Sequence, residues 1–210
     1  MKITAAMVTW NSRTTIWRAL SSLAKQDVPV TLMMCDSGST DQTDWWIGTR
    51  RFVDELKSIG LPSVKMLANI PSKEAMFSGR ELTNKHLEHA LAKMAWENSQ
   101  EPPDALLWLH PDVLIPDGAL KKMVSELEDD RRLGGVGLKL KDEQEVDHVR
   151  MSCALYRWEP FAKLAEIGFF STGCPCRWMH RMIERCGWEM KNLEGVEATH
   201  LKEGGSHAIR

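Results

Sequence analysis

Short apolar runs alternate with amphipathic stretches along the first 140 residues, and this alternation restricts the chain to few folds. The runs have the composition of buried strands, and the stretches between them repeat apolar residues at helical spacing. Because consecutive parallel strands need a crossover, the pattern predicts an α/β fold with a mostly parallel central sheet and helices on both faces. The predicted strands are 3–9, 30–35, 64–67 and 105–109.

Apolar periodicity also predicts where the helices lie. Four of them separate or follow these strands: one from Ile16, one across 46–56, one across 81–96 and one after Pro116. Beyond Leu133 the pattern loosens, and the predicted elements are strands at 134–140 and 151–156 and a helix at 178–186. We find no repeat or linker, and 210 residues suit one domain, so we predict a single domain over 1–210.

Composition excludes several classes of protein. A net charge of −2 gives no global basic field for nucleic acid. The five cysteines are odd in number and scattered, which does not indicate a secreted disulfide framework. The N-terminal segment does not have the pattern of a signal peptide, and no apolar run approaches the length of a membrane span. We therefore expect a cytoplasmic protein in a reducing compartment.

Three polar clusters follow predicted strands. They are Thr9-Trp10-Asn11, the turn-forming residues 36–41, and His110-Pro111-Asp112. Each cluster alone is typical of a helix cap or a turn. In open α/β sheets, however, ligands bind beyond the carboxyl ends of the strands, so three clusters at such ends together indicate a binding site.

Two of these clusters resemble the opening of family 2 GT-A glycosyltransferases. That family has a strand ending in Thr-Tyr-Asn and then Val-Asp-Asp-Gly-Ser-Thr-Asp after its second strand; this chain has Thr9-Trp10-Asn11 and Cys35-Asp36-Ser37-Gly38-Ser39-Thr40-Asp41. Residues 106–112, Leu-Leu-Trp-Leu-His-Pro-Asp, resemble the strand that leads to the family's Asp-x-Asp motif. The resemblance covers about the first 140 residues well. It implies a GT-A fold, with a nucleotide-sugar-binding half over 1–115 and an acceptor-side half with a C-terminal tail over 116–210.

The resemblance implies a nucleotide-sugar site at the strand ends, with a UDP-sugar favoured as donor. Asp36 would accept a hydrogen bond from the base or the ribose, and the alternative for this side chain is an Asx-turn. The residues expected to line this site are Thr9, Trp10, Asn11, Asp36, Ser37, Gly38, Asn84, His110 and Pro111.

A divalent metal site is implied by the same resemblance. Asp112 stands at the second acidic position of the Asp-x-Asp motif, and His200 in Val196-Glu197-Ala198-Thr199-His200 resembles the family's Val-x-His element. We expect both as catalytic metal ligands for Mn²⁺ or Mg²⁺. His110 replaces the first acid of the motif and is an additional candidate ligand, which suits Mn²⁺ better than Mg²⁺. The basic tail, with Lys202 and Arg210, would close over the phosphates.

The acidic pair from which the family takes its general base is missing. Cys174-Pro175 stand at its place, and no carboxylate occurs between Glu166 and Glu184. An inverting transfer would then take its base from another residue, whereas a retaining transfer lets the leaving phosphate accept the proton; both stay open. The candidate bases are Asp147, His148, Glu159 and Glu166.

Three cysteines and a histidine near the C-terminus raise the question of a zinc site. Cys174, Cys176, His180 and Cys186 have a spacing that is not common among zinc ligands. Buried structural thiols are the favoured interpretation.

The predicted function is a metal-dependent glycosyltransferase that moves a sugar from a nucleotide diphosphate to an acceptor hydroxyl. The acceptor, whether glycan, lipid, protein or modified DNA base, stays open. The alternatives are a non-catalytic or degenerate sugar-nucleotide-binding domain and a phage-type glycosyltransferase that modifies a DNA base. A nucleotidyltransferase is disfavoured because no glycine precedes Gly38, where that class places a phosphate loop.

Overall fold

The computed structural model describes residues 1–67, 91–141, 143–168 and 174–201. Within these ranges, one eight-stranded sheet forms the middle of three layers, with helices on both of its faces. The strands are β1 (Ile3–Thr9), β2 (Val30–Asp36), β3 (Ser63–Met66), β4 (Ala105–Leu109), β5 (Val113–Leu114), β6 (Leu133–Leu140), β7 (Cys153–Arg157) and β8 (Glu189–His200). The helices are α1 (Ile16–Ala24), α2 (Thr43–Ile47), α3 (Arg50–Ser58), α4 (91–99), α5 (Ala119–Asp129), α6 (Trp158–Ile167) and α7 (Pro175–Arg185).

The order of the strands, β3-β2-β1-β4-β7-β6-β8-β5, brings the predicted site loops together. Strands β1 to β4 are parallel, so their carboxyl ends lie at the same edge of the sheet. Strand β7 runs antiparallel to both β4 and β6, and β5 runs antiparallel to β8. The sheet is therefore mixed, and the expectation of a mostly parallel sheet was too strong.

Alternating side chains of the strands supply two cores. In β1, Ala5 and Met7 face α1, α3 and α5, whereas Ala6 faces the layer formed by α4, α6 and α7. All three side chains are fully buried. Burial on both faces explains why these strands are continuous apolar runs rather than alternating ones.

The helices differ from the sequence prediction in particular places. The single helix expected across 46–56 is divided in two at Gly48, and Thr49 caps the second helix by accepting a hydrogen bond from the Phe52 amide at 3.2 Å. The first helix begins at Ile16, as predicted, with Thr15 at its N-cap position. The helix predicted across 81–96 lies partly outside the described residues. Among the described helices, none is both long enough and apolar enough to cross a membrane.

Gly137 in β6 offers a test of the packing. A Cβ at this position would lie 2.3 Å from Cγ1 of Val149, which is itself buried. We expect Gly137→Ala to lower the free energy of unfolding by about 2 to 3 kcal/mol, because a close-packed core cannot take up an added methyl group. Chemical denaturation measures this loss. Val149→Ala removes the clashing atom, so the double variant should be more stable than the sum of the two single losses predicts, and strict additivity would contradict the account.

Candidate active site

The loops that follow β1 and β2 are joined by one buried carboxylate, Asp36. Its Oδ1 accepts hydrogen bonds from the backbone amides of Gly38 at 2.9 Å and Ser39 at 2.8 Å. Its Oδ2 accepts from the hydroxyls of Thr9 at 2.7 Å and Ser39 at 2.6 Å. A carboxylate has about four acceptor positions, and four internal donors occupy them here.

Asp36 thus forms an Asx-turn, which was the alternative to a direct hydrogen bond with the nucleotide. To accept a hydrogen bond from a base or a ribose, it would first have to release one of these donors. The side chain is only 3% exposed, so its visible role is to fix the shape of the loop. The sequence alone does not reveal this, since an acid before Gly-Ser-Thr suits both roles.

A second set of contacts ties the same two loops together. Asn11 has a left-handed backbone with φ of 47°, and its Oδ1 accepts from the Thr40 amide at 2.7 Å. The Asn11 amide donates to the Ser39 hydroxyl at 2.9 Å, and the Ser12 amide donates to the Thr43 hydroxyl at 3.1 Å. The loops therefore present a fixed polar rim beyond the ends of β1 and β2. Trp10 and Gly38 are partly exposed on this rim, whereas Ser37 is buried.

Pairing between β5 and β8 creates the next part of the site. Val113 pairs with His200, and the Leu201 amide donates to the Asp112 carbonyl at 2.7 Å. This places the two predicted metal ligands side by side, with Oδ2 of Asp112 3.3 Å from Nε2 of His200. Asp112 is 2% exposed. Residues 88 positions apart in the chain meet because β8 returns to the short strand that directly follows Asp112.

Glu143 completes this group from the other side of the imidazole. It hydrogen-bonds Nδ1 of His200, and its second oxygen lies 3.3 Å from Arg150 Nη1. Asp112 first, and then Glu143, raise the pKa of His200 above its ordinary value against the effect of burial. Both carboxylates thus stabilise the protonated form of the imidazole.

The geometry fits a divalent cation bound by Asp112 and His200. Metal–donor distances of about 2.1 to 2.3 Å place neighbouring ligands of an octahedron about 3.0 to 3.3 Å apart, which matches the observed 3.3 Å. Histidines that bind metals commonly donate their other ring N–H to a carboxylate, as His200 can do to Glu143.

His110 and Pro111 follow β4 directly, two positions and one position before Asp112, and both are partly buried. Burial lowers the pKa of His110 below its ordinary value, although the nearby Asp112 acts in the opposite direction. A neutral imidazole at this position is able to bind a metal or accept a hydrogen bond.

The four candidate bases are dispersed. Asp147 is exposed and pairs with both His148 and Arg177, and Nε2 of the buried His148 faces Cys174. Glu159 lies in the first turn of α6, next to Trp158, whose amide donates to the Asp104 carbonyl at the amino end of β4. Glu159 therefore lies at the edge of the sheet opposite Asp112. Glu166 is exposed in the last turn of α6.

Two of the sequence predictions lie outside the described residues, namely Asn84 and the basic tail 202–210. Glu143 was missed, because it lies in a loop whose sequence has no helical or strand periodicity. Its position two residues after Lys141 gives no local signal; only the fold brings it to His200.

No model of a protein family and no curated protein sequence matches the chain. Solved structures match at low identity. The mannosyltransferase PcManGT from Pyrobaculum calidifontis, in complex with GDP-Man and Mn²⁺, has a TM-score of 0.74 and 18% identity, covering 99% of this chain and 59% of that chain.

Two further structures are similar. S. aureus TarS 1-349 in complex with UDP-GlcNAc has a TM-score of 0.66 at 18% identity, covering 99% of this chain and 60% of that one. GalNAc-T7 with UDP, GalNAc and Mn²⁺ has a TM-score of 0.68 at 12% identity, covering 98% of this chain and 44% of that one. The chain therefore spans between 44% and 60% of the length of these proteins. It has the GT-A fold of these glycosyltransferases, which confirms the fold that the sequence resemblance implied.

Proposed function

We propose that the chain is a glycosyltransferase that uses a nucleotide-diphosphate sugar, with Asp112 and His200 binding a divalent cation. The observation on which this depends is the 3.3 Å approach of the two side chains at the carboxyl edge of the sheet. In structures of the same fold a nucleotide or nucleotide-sugar is bound, and in two of them Mn²⁺ as well. A fold hosts many functions, so the geometry of the site is the stronger support.

The position of the two loops supports a donor that bridges them. Strands β2 and β4 flank β1, so the ends of these two strands lie roughly 10 Å apart, at two strand spacings. Asp36 is the last residue of β2, and Asp112 lies in the loop after β4. A nucleoside lying on the rim of Asn11 and Gly38 would then direct its diphosphate toward Asp112. In this proposal Asp36 and Thr9 shape the loop, and the exposed backbone and side chains of the rim bind the nucleoside.

The chemistry proposed for each group follows from its surroundings. A divalent cation, when bound, neutralises the charge that develops on the leaving diphosphate. Asp112 supplies a buried anionic ligand, and His200 supplies a neutral nitrogen once its proton has left. Glu143 and Arg150 hold His200 in the orientation that directs Nε2 toward Asp112. We propose Mn²⁺ as the metal because imidazole is a poor ligand for Mg²⁺.

Glu143→Gln tests the positioning of His200. We expect the affinity for Mn²⁺ to fall about tenfold or more, because a carboxylate behind a metal-bound histidine fixes its tautomer and raises its basicity. The measurement is a calorimetric titration with Mn²⁺ in the presence of a nucleoside diphosphate. Glu145→Gln is the matched control, since Glu145 is exposed and pairs with Lys139. Equal affinity in both variants would remove Glu143 from the site.

The proposed function itself is tested with a panel of UDP-, GDP- and TDP-sugars. We expect at least one of them to bind more tightly with Mn²⁺ than without it in calorimetry, and to be hydrolysed slowly when no acceptor is present. Binding without any hydrolysis would favour the alternative, a sugar-nucleotide-binding domain without catalytic activity. Absence of binding by every member of the panel would contradict the proposal.

A further inference from the structure

A second group of metal-binding side chains lies outside the site described above. His148, Cys174 and Cys176 each offer one ligand atom, and these atoms all lie within 4.8 Å of one another. His148 precedes β7, and the two cysteines flank Pro175 at the start of α7. The group therefore joins two segments that are 26 residues apart in the chain.

We propose that Cys174, Cys176 and His148 form a zinc site with three protein ligands. Tetrahedral bonds of about 2.3 Å to sulfur and about 2.1 Å to nitrogen place those two donor atoms about 3.6 Å apart. The Cys174 Sγ to His148 Nε2 distance is 3.7 Å, close to this value. The Cys174 and His148 donor atoms thus have the spacing that a tetrahedral ion needs, and the Cys176 sulfur lies within 4.8 Å of both.

The surroundings of His148 favour a metal ligand. Its Nδ1 is 2.9 Å from Oδ1 of Asp147, and Asp147 is held in turn by Arg177 at 3.0 Å. When the proton of the neutral imidazole is on Nδ1, where it is donated to Asp147, the lone pair of Nε2 faces Cys174. A carboxylate that hydrogen-bonds a metal-binding histidine is a common arrangement around protein-bound zinc. The side chain is 7% exposed, so its orientation is fixed by packing.

The structure revises the ligand set that the spacing of the sequence suggested. Nδ1 of His180 accepts the Val149 amide at 2.9 Å, and its Nε2 pairs with Glu184 at 3.2 Å. His180 is thereby committed to holding the loop that contains His148. Among the described residues, Cys186 does not belong to the group of converging ligands.

With three protein ligands, a zinc ion at this group would keep a fourth coordination position for water or another ligand, and one of its ligands, Cys174, is exposed. Zinc with three protein ligands and one open position is the arrangement of catalytic rather than purely structural sites. When zinc binds, the two thiols lose their protons to water, and neutral His148 keeps its proton on Nδ1. The bound ion would also fasten the start of α7 to the loop before β7.

Metal content and cobalt substitution test this site on the full chain. We expect about one equivalent of zinc per purified chain, and an intense thiolate-to-metal charge-transfer absorption when Co²⁺ replaces it. Both should be lost in Cys174→Ser/Cys176→Ser and retained in the matched control Cys186→Ser. The cobalt spectrum of the unaltered chain needs no variant, so the proposal stays testable if the double variant does not fold.

Three outcomes would overturn the zinc site. They are a chain that takes up neither zinc nor Co²⁺ with thiolate absorption, absorption that persists in the double variant, and absorption that disappears in Cys186→Ser. A Cys174–Cys176 disulfide or a simple thiol–imidazole hydrogen bond would give the first of these. The thiolate absorption is independent of Asp112. Absence of the zinc site would therefore leave the proposed sugar transfer unaffected, and absence of sugar transfer would leave the zinc site unaffected.

Discussion

Asp112→Asn should reduce the Mn²⁺-dependent hydrolysis of the preferred nucleotide-sugar about a thousandfold. An amide is a neutral and weaker ligand than a carboxylate, so the variant loses an anionic ligand to the cation that stabilises the leaving diphosphate. Stabilisation of developing charge by a metal is worth several kcal/mol, and each 1.36 kcal/mol corresponds to about a factor of ten in rate. The measurement is release of the nucleoside diphosphate at saturating donor.

The matched control is Asp117→Asn, five positions further along the chain. Asp117 is exposed at the start of the turn before α5, so its removal should leave the rate within a factor of about two of the unaltered chain. Thermal unfolding of both variants separates loss of catalysis from loss of fold. Hydrolysis by Asp112→Asn at the rate of the control would mean that the metal, or the chemistry, lies elsewhere.

Asp36→Ala is expected to produce the largest loss of stability among substitutions at the site. It removes the acceptor of four hydrogen bonds, which come from the Thr9 hydroxyl, the Gly38 amide, and the amide and hydroxyl of Ser39. Thr9 is fully buried, so its hydroxyl would lose its partner away from solvent. Hydrogen bonds to a charged group contribute about 1.5 to 3 kcal/mol each. The free energies of four bonds to one carboxylate do not simply add, so we expect the free energy of unfolding to fall by about 3 to 5 kcal/mol. Denaturant unfolding measures it, with the exposed Asp44→Ala as control.

Asp36→Asn separates the two roles of this residue. Asn keeps an oxygen for the amides of Gly38 and Ser39, and the hydroxyls of Thr9 and Ser39 can rotate to accept from its amide group. If Asp36 only shapes the loop, this variant binds the nucleotide within about threefold of the unaltered chain. A loss of a hundredfold at unchanged stability would instead show that the carboxylate contacts the nucleotide itself.

The sequence predicted the elements whose pattern is local. Strands β1, β2 and β4 are continuous apolar runs because both faces of each are buried, and α5 shows apolar residues at i, i+3, i+4 and i+7. The division of one expected helix into α2 and α3 was not predicted, although Gly48 marks the point. Apolar residues on both sides of Gly48 obscure the break.

The sequence does not predict strands that form only through pairing with distant segments. Strand β5 has two residues, too few to show a period, and β8 is a strand in which mostly exposed or half-buried residues follow one another. Their pairing nevertheless creates the approach of His200 to Asp112. Sequence resemblance predicted that these two residues act together, but Glu143 required the fold. The same holds for His148, which meets Cys174 from a distant segment, whereas local spacing pointed to His180.

The most direct test of the central claim is a crystal of the chain grown with Mn²⁺ and the nucleoside diphosphate selected by the panel. We expect an anomalous manganese peak about 2.2 Å from both Oδ2 of Asp112 and Nε2 of His200, with the diphosphate as a further ligand. The nucleoside should lie on the rim of Asn11 and Gly38. A nucleotide bound at these loops with manganese absent from the Asp112–His200 pair, or manganese bound only at another group of side chains, would contradict it.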